Sequence, residues 1–272
     1  MNFSERPETR ALRARLDDLM AARDRGELGV SQFLTPKELH IAEEYLKRRG
    51  VKYVTYGGYP SAERVRVYLL PDYMEELSCA EGDIDLEEKI SEYGYSANIT
   101  LLKIAGSGYR HLTHRDFLGS VLGLGVERSV MGDIVLLDGE GREAALFCDS
   151  VIAEFFLSEL SFVANDKVRV TVAQADKISF PKKRTEPIHD TVVASPRLDA
   201  VVAALCGLSR DKARGTVEAG LVELDVEGEE RADRNVIAPS LISVRGYGRY
   251  KILSLSDKTR KGRFRLEAEK YI

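Results

Sequence analysis

Apolar positions along the chain recur with helical spacing in some stretches and alternate in short runs in others, and the two patterns predict a mixed architecture. Leu12, Leu16 and Leu19 fall on one face of a helix within Met1–Arg25. Thr35-Pro36-Lys37-Glu38 has the form of an N-cap, an N1 proline and an N3 acid, heading a second helix whose apolar side is Leu39, Ala42, Tyr45 and Leu46. Residues Val51–Tyr56 and Arg64–Leu70 read as strands around the turn Gly57-Gly58-Tyr59-Pro60. Further strands are expected at Ile99–Ile104, Ile134–Leu137, Ala145–Phe147 and Val168–Val172, with a helix over Val151–Phe162. The pattern predicts an α/β sandwich on a mostly antiparallel sheet.

The stretch Phe180-Pro181-Lys182-Lys183-Arg184-Thr185-Glu186-Pro187 breaks this pattern with two prolines and three consecutive cations, and reads as a linker. Beyond it lies a short apolar segment at Thr191–Ala194, then Ser195-Pro196 as a helix start. Leu198, Val201, Val202 and Leu205 form one apolar helical face that Gly207 ends. Ser209 is placed to N-cap a second helix running to about Ala219, with Gly220 after it. Strands are expected at Leu221–Leu224, Leu241–Val244 and Arg249–Leu253, so the module reads as helix, helix, small sheet. The expected division is 1–75, 76–181 and 187–272, and the expected fold class is α+β.

Composition narrows the classes. The chain is 44% hydrophobic and 31% charged, with no apolar run of the roughly 18 residues a membrane helix needs. Its charged N-terminus has no secretory apolar core, so a cytoplasmic protein without a membrane anchor is expected. Cys79, Cys148 and Cys206 are odd in number and far apart, which suits buried free thiols better than metal or redox chemistry. No cofactor or metal is expected. The net charge of −4 is unevenly spread: Lys182–Ile272 holds 18 Lys and Arg against 14 Asp and Glu, while the preceding residues hold 22 against 30. A basic module thus follows an acidic one.

The basic module carries the candidate chemistry. Arg197 at one helix start, and Ser209, Arg210, Lys212 and Arg214 at the start of the next, give a forked set of donors; guanidinium forks pair bidentately with phosphate oxygens. The competing expectation is a solvated helix face, paired with Asp199, Asp211 and Glu218. From Arg245 to Arg265 there are eight cations, among them Arg245, Arg249, Lys258, Arg260, Lys261 and Arg263, against the single acid Asp257, with Tyr247, Tyr250 and Phe264 interleaved. Cations with aromatics suit phosphate contact and base stacking. Lys258–Arg263 reads as a loop or hairpin beside the helical face.

The elements Arg197-Leu198-Asp199, Ser209-Arg210-x-Lys212-Ala213 and Gly220-Leu221-Val222 resemble, in order and spacing, the S4 domain, a small RNA-binding module. The sequence departs from that pattern at Leu224-Asp225 and Pro239-Ser240, at strand ends. The resemblance extends upstream through Phe33-Leu34-Thr35-Pro36, Gly57-Gly58-Tyr59, Ala62-Glu63-Arg64, His114-Arg115-Asp116-Phe117-Leu118-Gly119-Ser120, Leu122-Gly123-Leu124-Gly125, Gly132-Asp133-Ile134 and Val244-Arg245-Gly246-Tyr247-Gly248-Arg249. Together these resemble the YlmH family over most of the chain. That resemblance implies an RNA-recognition-motif-like α/β region ahead of a C-terminal S4 domain. It also implies a role in bacterial ribosome-associated quality control on stalled large subunits carrying peptidyl-tRNA, and an older association with cell division.

His114-Arg115-Asp116 has the form of a kinase catalytic loop, but Val121 stands where the metal-binding Asn belongs and no phosphate loop precedes it. His114 and Arg115 are instead a possible secondary RNA contact, or a structural cap with Asp116; Gly119, Gly123 and Gly125 with Ser120 are read as permitting a tight turn and close backbone approach. Gly106-Ser107-Gly108 is too short for a dinucleotide loop. The leading expectation is a monomeric, non-enzymatic protein binding ribosomal RNA and tRNA on the large subunit. The alternatives are an RNA-modifying enzyme of the pseudouridine synthase or methyltransferase kind, for which residues 1–181 show no motif, and an adaptor linked to cell division.

Overall fold

The helical spacing of the first leucines becomes α1 (Pro7–Asp24), with Leu12 and Leu16 buried. β1 (Gly29–Val30) follows, then α2 (Pro36–Lys47), whose N-terminus is closed by the Thr35–Glu38 capping box. β2 (Tyr53–Tyr56) and β3 (Arg66–Leu69) complete a three-stranded antiparallel sheet in the order β1-β3-β2, and α3 (Leu86–Ser91) comes after it. The computed structural model describes residues 7–79, 86–181, 185–225, 227–258 and 262–271. It divides into two compact units, Met1–Pro181 and Lys182–Ile272. The fold class is α+β, and all paired strands are antiparallel among the described residues.

The second sheet of the N-terminal unit follows the chain order β4 (Ile99–Ala105), α4 (His114–Gly123), β5 (Met131–Leu136), β6 (Glu143–Asp149), α5 (Ser150–Glu159), the short hairpin β7 (Phe162–Val163) and β8 (Asp166–Lys167), then β9 (Arg169–Ala173). The sheet order is β5-β6-β4-β9. Alternation sends Leu102, Ile104, Leu146 and Cys148 to one face, where Phe117 and Val121 of α4 and Phe156 of α5 cover them. The helix expected through Phe162 stops at Glu159: Ala164, with φ 50°, turns the chain so that Phe162 and Val163 pair with Lys167 and Asp166.

The segments expected as 1–75 and 76–181 each carry their own sheet, and buried side chains bolt the two together. Arg66, 6% exposed, donates to the carbonyls of Ser31 at 2.7 Å and Asn98 at 2.8 Å and pairs with Asp149 at 3.0 Å. Asp133 accepts from the Tyr59 hydroxyl at 2.8 Å and from the backbone N–H groups of Glu63 and Arg64 at 2.7 and 3.1 Å. Gly58, at φ +94°, lets the β2–β3 turn press onto the second sheet: a Cβ there would stand 2.4 Å from the Phe147 ring.

Gly119 and Gly123 correct the expectation of a tight turn. Both lie inside α4 with open space where a Cβ would project, and only Gly125, at φ +82°, turns the chain. Ser120 has a structural partner, its Oγ accepting from the Ala164 N–H at 2.9 Å.

The first described element of the C-terminal unit is β10 (Thr185–Val193), which takes in the last three residues of the expected linker. Pro187 is tolerated there because β10 is the edge of a six-stranded sheet and needs no donor on its outer side. α6 (Leu198–Cys206) and α7 (Arg210–Glu218) come next, then β11 (Val222–Leu224), β12 (Glu227–Gly228), β13 (Ser240–Val244), β14 (Gly248–Lys258) and β15 (Phe264–Tyr271), in the sheet order β10-β15-β14-β13-β11-β12. Leu198, Val201, Val202, Leu205, Ala213 and Val217 of the helices meet Val222, Ile242, Val244, Tyr250, Ile252, Leu266 and Ala268 of the sheet in one core. The sheet is therefore larger than the small one expected.

The helix start expected at Ser195-Pro196 moves to Leu198, with Arg197 as an N-cap that makes no side-chain cap bond. The unpaired N–H groups of the first turn are met by backbone instead: Leu198 donates to the Arg234 carbonyl at 2.8 Å and Asp199 to that of Ala232 at 3.0 Å.

Candidate nucleic-acid interface

That backbone docking fixes Arg197 beside the start of α7. Gly207, in the left-handed region at φ 64°, ends α6, and Ser209 caps α7 by accepting from the Lys212 N–H at 3.4 Å. The two helix starts meet on one carboxylate. Arg197 donates Nε and Nη2 to the two Asp199 oxygens at 3.2 and 3.1 Å, and Arg210 donates the same two groups at 3.3 and 3.4 Å. Asp199's side chain is 4% exposed, whereas those of Arg197 and Arg210 are 38% and 50% exposed.

A buried carboxylate thus holds two half-exposed guanidiniums from below. Each guanidinium has five N–H donors, so those not bound to Asp199 remain for a ligand, and their side-chain entropy is already restricted. Burial alone would raise the Asp199 pKa, but the hydrogen bonds from Arg197 and Arg210 hold it below the ordinary carboxylate range. Since the folded value lies below the unfolded value of about 3.9, the group's stabilisation is complete above that pH and is lost as pH falls through the folded value. Melting temperatures of the parent should therefore drop more steeply below about pH 4 than those of Asp199→Asn; parallel acid profiles would contradict this role.

The remaining predicted residues on α7 are exposed. Arg214 pairs with Glu218 at 2.7 Å, both more than half exposed. Lys212 is exposed and makes no ion pair among the described residues. Arg245 and Arg249 stand together around a groove of about 540 Å³ that Gly220, Glu223 and Ser243 also line. Arg249 reaches the Ser243 hydroxyl at 3.4 Å, and Tyr247 is 41% exposed on the turn between them. Arg263 is exposed just ahead of β15. Arg260, Lys261 and the side chain of Lys258 lie outside the described residues. The basic tail is less one-sided in space than in sequence: the register β14–β15 sets Glu269 opposite Lys251 and Glu267 opposite Ser254. Asp199, which the charge reading treated only as a neutralising acid, is the residue that organises the face; its place between the arginines of Arg197-Leu198-Asp199 and Ser209-Arg210 was the available signal.

In the N-terminal unit, His114 opens α4 behind the capping box of Thr113 and Asp116. Loss of water around the ring, and then Arg128, hold the His114 pKa below the ordinary histidine range. Arg115 is exposed. Arg128 is tied to the carbonyls of Met131 and Gly132 at 3.4 and 2.9 Å; burial and Arg64 bring its pKa down to about 10. The face of the second sheet away from its helices is closed by the chain itself. Phe147 of β6 stacks on Tyr59 with centroids 4.8 Å apart, and Tyr59 stacks on Phe180 at 4.8 Å. Among the described residues no three His, Cys, Asp or Glu side chains stand together as a metal-ligand set, and no helix is long and apolar enough to cross a membrane.

Comparisons with known proteins meet this geometry at the level of the domains. Residues 8–74 match the model described as "YlmH, N-terminal", and residues 95–193 match "Putative RNA-binding domain in YlmH"; between them the two cover more than half of the chain. The second match ends at the last residue of β10. The chain is 28% identical over 241 residues to a Bacillus subtilis (strain 168) protein named "Ribosome-associated protein quality control protein P2", covering 89% of this chain and 86% of that one. It is also similar to a solved structure, "Cell division protein ylmH from Streptococcus pneumoniae", at 22% identity and a TM-score of 0.47, over 66% of this chain and 99% of that chain. With both domain models matched in order and the similarity to the Bacillus protein running through nearly all of its length, the chain belongs to the YlmH family.

Proposed function

We propose that this chain is a non-catalytic, cytoplasmic RNA-binding protein that acts as a monomer on the large ribosomal subunit, in the quality control of stalled ribosomes. The observation that carries the reading is the pair Arg197 and Arg210, clamped on buried Asp199 beside exposed Lys212 and Arg214. This is a preorganised set of phosphate donors at two helix starts, in the arrangement of an S4-type module; such a face suits RNA helices, which proteins recognise chiefly through backbone and shape. The strand–helix–strand–strand–helix–strand order of the second sheet, with the sheet order β5-β6-β4-β9, supports an RNA-recognition-motif-like domain ahead of it. The ribosome, rather than free RNA, is proposed as the site of action from the similarity to the Bacillus protein. Peptidyl-tRNA is the proposed second contact.

Sedimentation of lysate through a gradient tests this reading. The protein should travel with separated large subunits. Recovery only in the free fractions, or only with small subunits, would refute it.

A further inference from the structure

The closed sheet face raises the question of where the N-terminal unit could stack a base, since Phe147, Tyr59 and Phe180 already stack on one another. The β4–α4 loop offers a different aromatic. Tyr109 is 94% exposed, more than any other large apolar or aromatic side chain among the described residues. Its loop is nevertheless braced from beneath. Gly106 donates its N–H to the Arg142 carbonyl at 2.8 Å, and Ser107 gives its N–H at 2.9 Å and its hydroxyl to Asp166, which is 6% exposed. The Ser107 hydroxyl in turn accepts from the Tyr109 N–H at 3.3 Å, and the far end is tied where His111 Nδ1 meets the Glu140 carbonyl at 3.1 Å. Leu112 then enters the core.

A rigid loop that holds a tyrosine ring in water keeps apolar surface exposed without folding it away, the arrangement expected of a stacking platform. Its neighbours supply the charge. Arg110 and His111 are exposed beside Tyr109, and Arg115 is exposed on the first turn of α4. Among the nearby acids, Asp116 is hydrogen-bonded by Thr113, Asp166 by Ser107, and Glu140 is paired with Arg142; Arg115 and Arg110 act on Asp116 and Asp166 only through longer-range attraction, with no hydrogen bond between them. All of these residues fall within the segment matched by the family's RNA-binding domain.

We infer that this loop and the first turn of α4 form a second RNA-contact surface, on which Tyr109 stacks on an unpaired base while Arg110 and Arg115 hold the flanking phosphates. The inference rests on the RNA-binding reading above and adds a place and a mode: single-stranded RNA, met at the loop edge rather than on the sheet. The full-length protein should be tested for binding to protein-free ribosomal RNA and, separately, to intact ribosomal subunits. Tyr109→Ala should weaken binding to the protein-free RNA about 5- to 150-fold, the loss of one stacked base, while Tyr109→Phe stays within about twofold. Arg110→Ala combined with Arg115→Ala should lower the slope of log affinity against log salt by about 1.4, from roughly 0.7 per phosphate contact on a single strand.

Unchanged binding by Tyr109→Ala, with the parent binding well, would overturn the loop and leave the RNA-binding reading standing. Failure of the parent to bind either probe would overturn that reading and the loop with it. Equal losses for Tyr109→Ala and Tyr109→Phe would refute stacking. Weakened binding to subunits, with binding to protein-free RNA unchanged, would assign the loop to a protein contact and overturn the proposal as well.

Discussion

Replacing Arg210 and Arg214 together with alanine is expected to weaken RNA binding by about 2–6 kcal/mol, at roughly 1–3 kcal/mol for each lost charged hydrogen bond. The two arginines differ in what else they hold. Arg214 pairs with an exposed glutamate, so its removal should move folding stability by about 0–1 kcal/mol. Arg210 shares the buried Asp199 with Arg197, and its loss leaves that carboxylate with one cation instead of two, at a stability cost of about 1–3 kcal/mol. Simple solvation of an α7 surface would have predicted no such cost. The cleaner binding variant is therefore Lys212→Ala with Arg214→Ala, which leaves the Asp199 clamp intact and should weaken binding while stability moves by no more than the about 0–1 kcal/mol of the exposed Arg214–Glu218 pair. Leu205→Ala gives the opposite control, as a core position of the same unit expected to lose about 2–5 kcal/mol of stability. Calorimetry and filter binding on these variants separate the two effects.

The largest stability effect in the N-terminal unit is expected at Phe147. The side chain is 1% exposed, stacks on Tyr59 and lies 5.7 Å from the Phe180 ring, so Phe147→Ala should cost about 3–5 kcal/mol through the cavity it leaves. Since Tyr59 comes from the β2–β3 turn and Phe180 from the end of the unit, the variant should loosen both attachments, read as faster amide exchange in β2, β3 and residues 175–180 than in α6 and α7. A loss below 1 kcal/mol, or exchange unchanged in those segments, would show that the stack is not what holds the sheet face closed.

These two regions were unequally legible in the sequence. The helices of the C-terminal unit could be read because Leu198, Val201, Val202 and Leu205 keep helical spacing and Gly207 and Gly220 mark the ends; both glycines adopt positive φ. β10 was hidden by Pro187 and the neighbouring cations, which look like a linker unless the strand is known to be an edge. β15 had a usable signal, since Leu266 and Ala268 point inward while Arg265 and Glu267 point out, but the run of cations just before it drew attention to charge instead of alternation. The candidate arginines were legible as residue types at helix starts. The burial of Asp199 beneath them was not, because it depends on the carbonyls of Ala232 and Arg234, more than thirty residues away, docking the first turn of α6. The stack of Tyr59, Phe147 and Phe180 joins three segments about thirty to one hundred and twenty residues apart in sequence, a separation that no local pattern reports.

The salt dependence of RNA affinity tests the central claim most directly, because a face that works by phosphate contact must release counterions. For the full-length protein and protein-free ribosomal RNA, about four to six contacts predict a slope of log affinity against log salt near −3 to −4, with roughly 0.7 per contact as a floor. Lys212→Ala with Arg214→Ala should bring that slope about 1.4 closer to zero. A flat salt dependence, or a slope that the double variant leaves unchanged, would contradict the account and show that the α6–α7 face is only a solvated surface.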